Sequence, residues 1–369
     1  MRYANTLTYL LAQVDGSSLA DLSQLVHLGL RANPLSALRR LRFGADAHLS
    51  YLDLSECSLT AVPRGVPDTV TYAQLRRNSI ARLGADSFGD GGGGASRLKI
   101  LVLDDNRIVD VDGRALGGLA SLDQLWMNKN RVARVPAGLP ASLRRLMLDA
   151  NNVSRLSADS FATLPRLETL ALTQNAVAEI SPDAFRPLAE LARLDLSANR
   201  ISTLPPGLFR SNAKLSTLLL SRNPLRALGA HSFAGLRHLT ALSLTFVPTR
   251  TCLDAAAFAP LRRLADLQLD SSPRLAAAFV AEPRLATDLP SLRRLGLQRT
   301  ELARLPSTFL PSLSAQVCCP AQSCSWVGLT QKLGRVGSRF FSFWWVGLVW
   351  NCLQCFDSVG WAAGRASGL

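Results

Sequence analysis

The chain reads as an α/β-type solenoid, a horseshoe with a parallel concave β-sheet and irregular convex arcs containing little helix. Three observations predict it. The 369 residues align against themselves at a period near 24. Segments such as LETLALTQNAVAEISPDAF from Leu167 and LARLDLSANRISTLPPGLF from Leu191 share one frame, with apolar residues at positions 1, 4, 6, 11 and 14, Asn at 9, and Phe six residues before the next unit. Positions 3 to 7 alternate at the period of a short strand, while single Pro and Gly residues break up the remainder.

Residues 1–24 read as the tail of a partial repeat without a recognisable cap, and their apolar run is short and mixed for a signal peptide. Residues 25–313 hold twelve units, starting at Leu25, Leu49, Val70, Leu98, Leu122, Leu143, Leu167, Leu191, Leu215, Leu239, Leu264 and Leu292. Each unit supplies one strand and a return arc, and no unit buries its apolar face alone; stacking pairs the strands in parallel and lines up the residues at 4 and 6 as inward ribbons. An Asn column (Asn33, Asn78, Asn106, Asn130, Asn151, Asn175, Asn199, Asn223) falls where the chain bends inward. There a buried amide can bond backbone groups that the bend leaves unpaired. A Phe column (Phe43, Phe161, Phe185, Phe209, Phe233, Phe258, with Leu19 and Leu116 substituting) packs the convex side. The 28-residue step from Val70 to Leu98 is 24 plus an insertion around Gly91–Gly94, read as a convex loop. The units from Leu49 and Leu122 are 21 residues long and carry VPRGVP (62–67) and VPAGLP (135–140).

This frame, kept through twelve copies over roughly residues 11–313, resembles the leucine-rich repeat family. Spacings of mostly 24 with a Phe column are similar to its extracellular members and unlike the helix-bearing 28-residue cytosolic kind. The short-long-long order resembles small leucine-rich proteoglycans and their Tsukushi-type relatives, but the unit from Leu191 is long where a third short one is due. Slit-type and Toll-type ectodomains stay open. The resemblance implies a secreted or cell-surface binding module.

The formal charge of +14 comes almost wholly from Arg, 37 against 4 Lys, and +11 of it lies before residue 315. Such a surface attracts anions. Sulfated glycan is the candidate partner, with Arg39, Arg40 and Arg42 as a compact cluster, although scattered arginines also reflect simple compositional bias. No basic and aromatic module points to nucleic acid.

Cys57 takes the Asn-column position of its unit and Cys252 the inward position 14; both read as packing residues. Eight units apart, about 38 Å at the strand spacing, they are expected to be free thiols. The other five cysteines all follow residue 317. A thirteenth unit should start at Leu313, placing Gln316 and Cys318 at positions 4 and 6, where the strand pattern stops. Gln-Val is what CAG followed by GTN encodes, as across an exon end and its donor site. Residues 314–369 therefore read as a non-repeat tail, disordered or translated intron from about Val317. Within it, Phe340–Phe356 spans 17 residues, short of the roughly 20 of a membrane helix, with basic residues on the wrong flank; a membrane anchor stays open.

No catalytic constellation emerges. The four His (His27, His48, His231, His238) fall in different units, out of frame with a Ser or Cys and an acid. Gly91–Gly94 lacks the following Lys-Ser/Thr of a phosphate loop, and Asp110-Val-Asp112-Gly113 lacks the twelfth ligand of a calcium loop. The chain reads as a non-enzyme with no cofactor and no metal.

Positions 3, 5, 7 and 8 of each unit face the concave side. Most are small or polar, but Tyr51, Tyr72, Ile100, Trp126 and Met147 form an apolar band, with Asp53, Arg76, Asp104, Lys129 and Arg145 among the charges around it. Exposed Trp, Tyr and Arg are what protein interfaces concentrate at their energetic centres. The expected role is a rigid extracellular scaffold presenting this band to a protein ligand or cell-surface receptor. Asn152-Val153-Ser154 is the N-glycosylation sequon.

Overall fold

The computed structural model describes residues 19–88, 95–282 and 288–302, together with the strand Gln316–Cys318. Thirteen short strands form one parallel sheet in strict chain order, from His27–Gly29 and Tyr51–Asp53 through Arg193–Asp195 to Arg294–Gly296 and Gln316–Cys318. Each is three residues long because only that part of the unit alternates. In Arg193–Asp195 the outer two residues face away from the core and Leu194 is fully buried. Register is frame-matched: Leu170, Leu194 and Leu218 are neighbours in one row across three turns. Leu191, Leu196 and Ile201 are fully buried beside them.

The return arcs carry three two-stranded parallel ladders, a one-turn 3-10 helix (Ala255–Phe258) and the α-helix Pro273–Ala281. That helix occupies the 28-residue step between Leu264 and Leu292 and brings Phe279 to 5.5 Å from Phe258, so the Phe column gains a member that lies out of frame. Phe88, displaced from its spacing by the Gly91–Gly94 insertion, is also buried. Phe161, Phe185 and Phe209 stack at 5.9 and 6.0 Å between ring centroids. Neighbouring strands sit about 4.8 Å apart. The arc side of each turn is therefore wider than the strand side, which makes the sheet the concave face.

The bend after each strand has a fixed backbone solution. The eighth residue of every turn, Ala32 through Arg299, has φ between +53° and +61°, and none of the twelve is Gly. Left-handed backbone costs an L-residue about 1–2 kcal/mol. The Asn that follows offsets this by closing the bend: Asn130 accepts the Ile108 N–H at 3.0 Å through Oδ1, and its Nδ2 donates to Leu103 O and Met127 O at 3.0 Å each. The same three bonds recur at Asn78, Asn106, Asn151, Asn175, Asn199 and Asn223. Asn33 donates to Leu30 O at 2.9 Å. At two of the positions where Asn is replaced, a shorter donor stands in: Cys57 Sγ reaches Leu30 O at 3.0 Å and Ser272 Oγ reaches Leu244 O at 2.8 Å.

Two expectations need correction. Cys252 is exposed and is not a packing residue. The unit from Leu239 has 25 residues, and its arc pairs Ala227 with Cys252 and Leu228 with Leu253, so the extra residue moves Leu253 into the inward column. Cys57 is buried, and burial raises its thiol pKa. The thirteenth strand likewise runs one residue later than the frame from Leu313: Arg294, Leu295 and Gly296 pair with Gln316, Val317 and Cys318, placing Val317 at position 4. The partial repeat before residue 19, the Gly91–Gly94 loop and the tail beyond Cys318 lie outside the described residues.

The two short arcs turn on glycine. Gly138 has φ +66°, and a Cβ there would stand 1.8 Å from Gly113 O; Gly65 has φ +78° with Leu41 O at 2.1 Å. The adjacent turn approaches too closely for a side chain. Gly138→Ala is expected to lower stability by about 2 kcal/mol or more, read from the denaturation midpoint. Exposed Gly118, which has no atom within 4 Å of its would-be Cβ, should accept Ala at little cost.

Candidate functional site: the concave face

The band residues are brought together by register. At position 3, Tyr51 pairs with Tyr72 and Tyr72 with Ile100; at position 5, Asp53, Gln74, Val102, Trp126 and Met147 follow one another across five strands. The apolar surface thus crosses from the position-3 row to the position-5 row between the fourth and fifth turns. Tyr51, Tyr72, Ile100, Val102, Trp126 and Met147 are all half-buried, each leaning on its neighbours with one side open to solvent. Arg145 and Lys129 are exposed beside them.

Sequence reasoning missed part of this surface. His27, one of the four His that form no catalytic constellation, stacks on Tyr51 at 5.4 Å, and Tyr51 on Tyr72 at 5.0 Å, making a three-ring ladder along position 3. Its frame position was the available signal. The Tyr72 hydroxyl donates to Gln74 Oε1 at 2.9 Å, which fixes the ring. Burial, then the Asp53 carboxylate, raises the pKa of both tyrosines, so the ladder keeps its phenolic protons at neutral pH.

The charges fall into two rows. At position 8, Glu56 pairs with Arg31 at 2.9 Å and with Arg77 at 3.2 Å, and Arg77 also faces Asp105 at 3.5 Å. These four side chains neutralise one another. At position 7 the side chains serve the backbone: Asp104 Oδ1 accepts the Asn128 N–H at 2.7 Å, Asn128 Oδ1 that of Asp149 at 2.8 Å, and Asp149 Oδ1 that of Thr173 at 2.7 Å. At position 5, Asp53 does the same: its Oδ1 accepts the Ser55 N–H at 2.9 Å. Burial raises the pKa of Asp104 and Asp149, with the Asp195 and Asp104 charges adding to the shift at Asp149. A carboxyl whose folded pKa is raised penalises the folded state once ionised. That penalty is relieved as pH falls from the raised value toward the ordinary carboxylate range near 4. Arg76, half-buried beside Asp104, leaves its Nε without a hydrogen-bond partner among the described residues.

Asn152 is exposed at the edge of the sheet, and Val153 of the same sequon is buried. Among the described residues no three His, Cys, Asp or Glu side chains group as a metal site. No helix among them is long and apolar enough to cross a membrane.

The repeat frame is matched by the family model described as "Leucine rich repeat" over residues 141–201 and 189–246. Those residues carry leucine-rich repeats, and the same strand register continues through the other described turns. The chain is 38% identical to human podocan-like protein 1 over 135 residues, 36% of this chain and 26% of that protein. It is 41% identical to mouse prolargin over 75 residues, 20% of this chain and 19% of that protein, and 30% identical to rat decorin over 120 residues, 32% and 33% of the two chains. These matches span between about a fifth and a third of each relative's length.

Proposed function

We propose that the protein is a non-enzymatic extracellular scaffold whose concave sheet binds a protein ligand or cell-surface receptor. One observation carries this reading: a continuous, half-exposed apolar and aromatic surface, from Tyr51 to Met147, held on five consecutive strands. Aromatic anchors fixed in this way lose little conformational freedom on binding, and an exposed apolar patch rimmed by charge is a common mark of an interaction site. Tyr51, Asp53, Tyr72, Arg76, Asp104, Trp126, Lys129, Arg145 and Met147 form the contact surface in this reading. The similarity to podocan-like protein 1, prolargin and decorin supports an extracellular matrix setting. Asn152 is its N-glycan acceptor, exposed beyond the buried Asn151.

A glycan wedge tests the face. Ala171→Asn completes a sequon with Leu172 and Thr173 beside Met147, whereas Ala158→Asn completes one with Asp159 and Ser160 on the arc. Secreted from mammalian cells and applied to cell-deposited matrix, the glycosylated Ala171→Asn protein should lose retention and the Ala158→Asn protein should keep it. Equal retention of two glycosylated, folded variants would move the site off the concave face.

A further inference from the structure

Arginine exceeds its ion-pair partners along much of the described chain, and several of the unpaired arginines adjoin at one place. Along the flank where chain enters the strands a few basic residues are paired: Arg144 lies between Asp123 and Glu168, and Lys214 pairs with Glu190, whereas Arg97, Lys99 and Arg166 are exposed there without an ion pair among the described residues. The densest unpaired group lies between the end of the ninth turn and the start of the twelfth. Arg237, Arg262, Arg263 and Arg293 are exposed and form no ion pair among the described residues, and His238 is exposed between them. The backbone sets their proximity. Ala265 N–H bonds Thr240 O at 2.8 Å and Arg293 N–H bonds Ala265 O at 2.9 Å, so Arg237 and His238, Arg262 and Arg263, and Arg293 lie on three adjacent turns at about 4.8 Å per step. The nearest carboxylates in the frame are Asp266, held by Arg294 at 2.9 Å, and Asp288.

We infer that this flank is a binding site for a sulfated glycan chain, separate from the concave face. Exposed guanidiniums with no acid among them present several forked donors to an extended polyanion, and sulfate offers oxygens at the spacing the fork accepts. Single-stranded nucleic acid is disfavoured because, among the described residues, no aromatic side chain interleaves the arginines as a stacking platform. A membrane surface is disfavoured because, among the described residues, no exposed large apolar side chain lies between them. The Arg39–Arg42 cluster, the compact basic run of the sequence, is a weaker site: Arg39 Nη1 already donates to Ser36 O at 3.2 Å and Thr60 Oγ1 at 3.1 Å, and Arg40 is also engaged.

The test is retention of the full chain on immobilised heparin across a salt gradient, with competition by duplex DNA and by anionic vesicles. The wild type should remain bound at about 0.15 M salt, and the combined Arg262→Ser, Arg263→Ser and Arg293→Ser protein should bind about tenfold more weakly or worse. The Arg39→Ser, Arg40→Ser and Arg42→Ser protein, of equal net charge, should bind within about twofold of wild type. Melting curves matched to wild type confirm that both remain folded. Equal losses in the two variants would show an effect of net charge without a site and overturn the inference. So would release of the wild type below 0.15 M salt, or competition by DNA or vesicles matching that of soluble heparin at equal charge.

Discussion

Leu194→Asp is expected to collapse the cooperative unfolding of the central turns. Leu194 is fully buried and sits in register between Leu170 and Leu218, at the middle of the inward row. A carboxylate there has no cation within the ribbon, and burying an unpaired charge exceeds the 4–5 kcal/mol that marks the extreme of single-site effects. Because each turn contacts only its neighbours, the loss does not stay at one residue: removing the eighth turn also removes the interfaces that the seventh and ninth depend on. Hydrogen exchange should therefore show accelerated amides in at least those three turns, with a melting transition that is broadened or shifted by more than 10 °C. Leu194→Met, which keeps volume and polarity, should cost less than about 1.5 kcal/mol. A melting curve for Leu194→Asp matching wild type would mean the side chain reaches solvent and the register is wrong.

How much of this was legible follows from what repeats. Every inward residue, from Leu52 to Leu295, and the Asn column lie in the sequence because the frame states them twelve times, and errors average out. The misreadings sit where the frame is interrupted. One extra residue in the unit from Leu239 shifted Cys252 out of the core, since counting cannot say on which side of an insertion the register slips. The arc absorbs such changes because few of its backbone bonds are fixed by ladder pairing. Phe88 and Phe279 were hidden for the same reason, one behind a four-residue insertion and the other on a helix. The concave face was legible as a set of positions. Its interactions were not: the His27–Tyr51–Tyr72 stack and the Asp104–Asn128–Asp149 chain of backbone bonds depend on rotamers, which the repeat pattern does not encode.

Trp126→Ala should separate binding from folding. Trp126 stands at position 5 between Val102 and Met147, half-buried, with its backbone in the sheet and its ring outside the core. Truncation removes part of a surface contact and leaves no cavity, so the expected loss of stability is about 1–2 kcal/mol, below the 3–5 kcal/mol of a fully buried aromatic. Affinity for a concave-face partner should fall by about thirtyfold or more, equivalent to at least about 2 kcal/mol at an interface hot spot. Thr217→Ala, at position 3 three strands beyond Arg145, should alter neither quantity. Paired melting and binding measurements decide between the outcomes. A stability loss at the upper value would place the ring in the core, whereas unchanged affinity in a folded Trp126→Ala protein would exclude the band as the contact, because no other aromatic on the fifth strand could replace it.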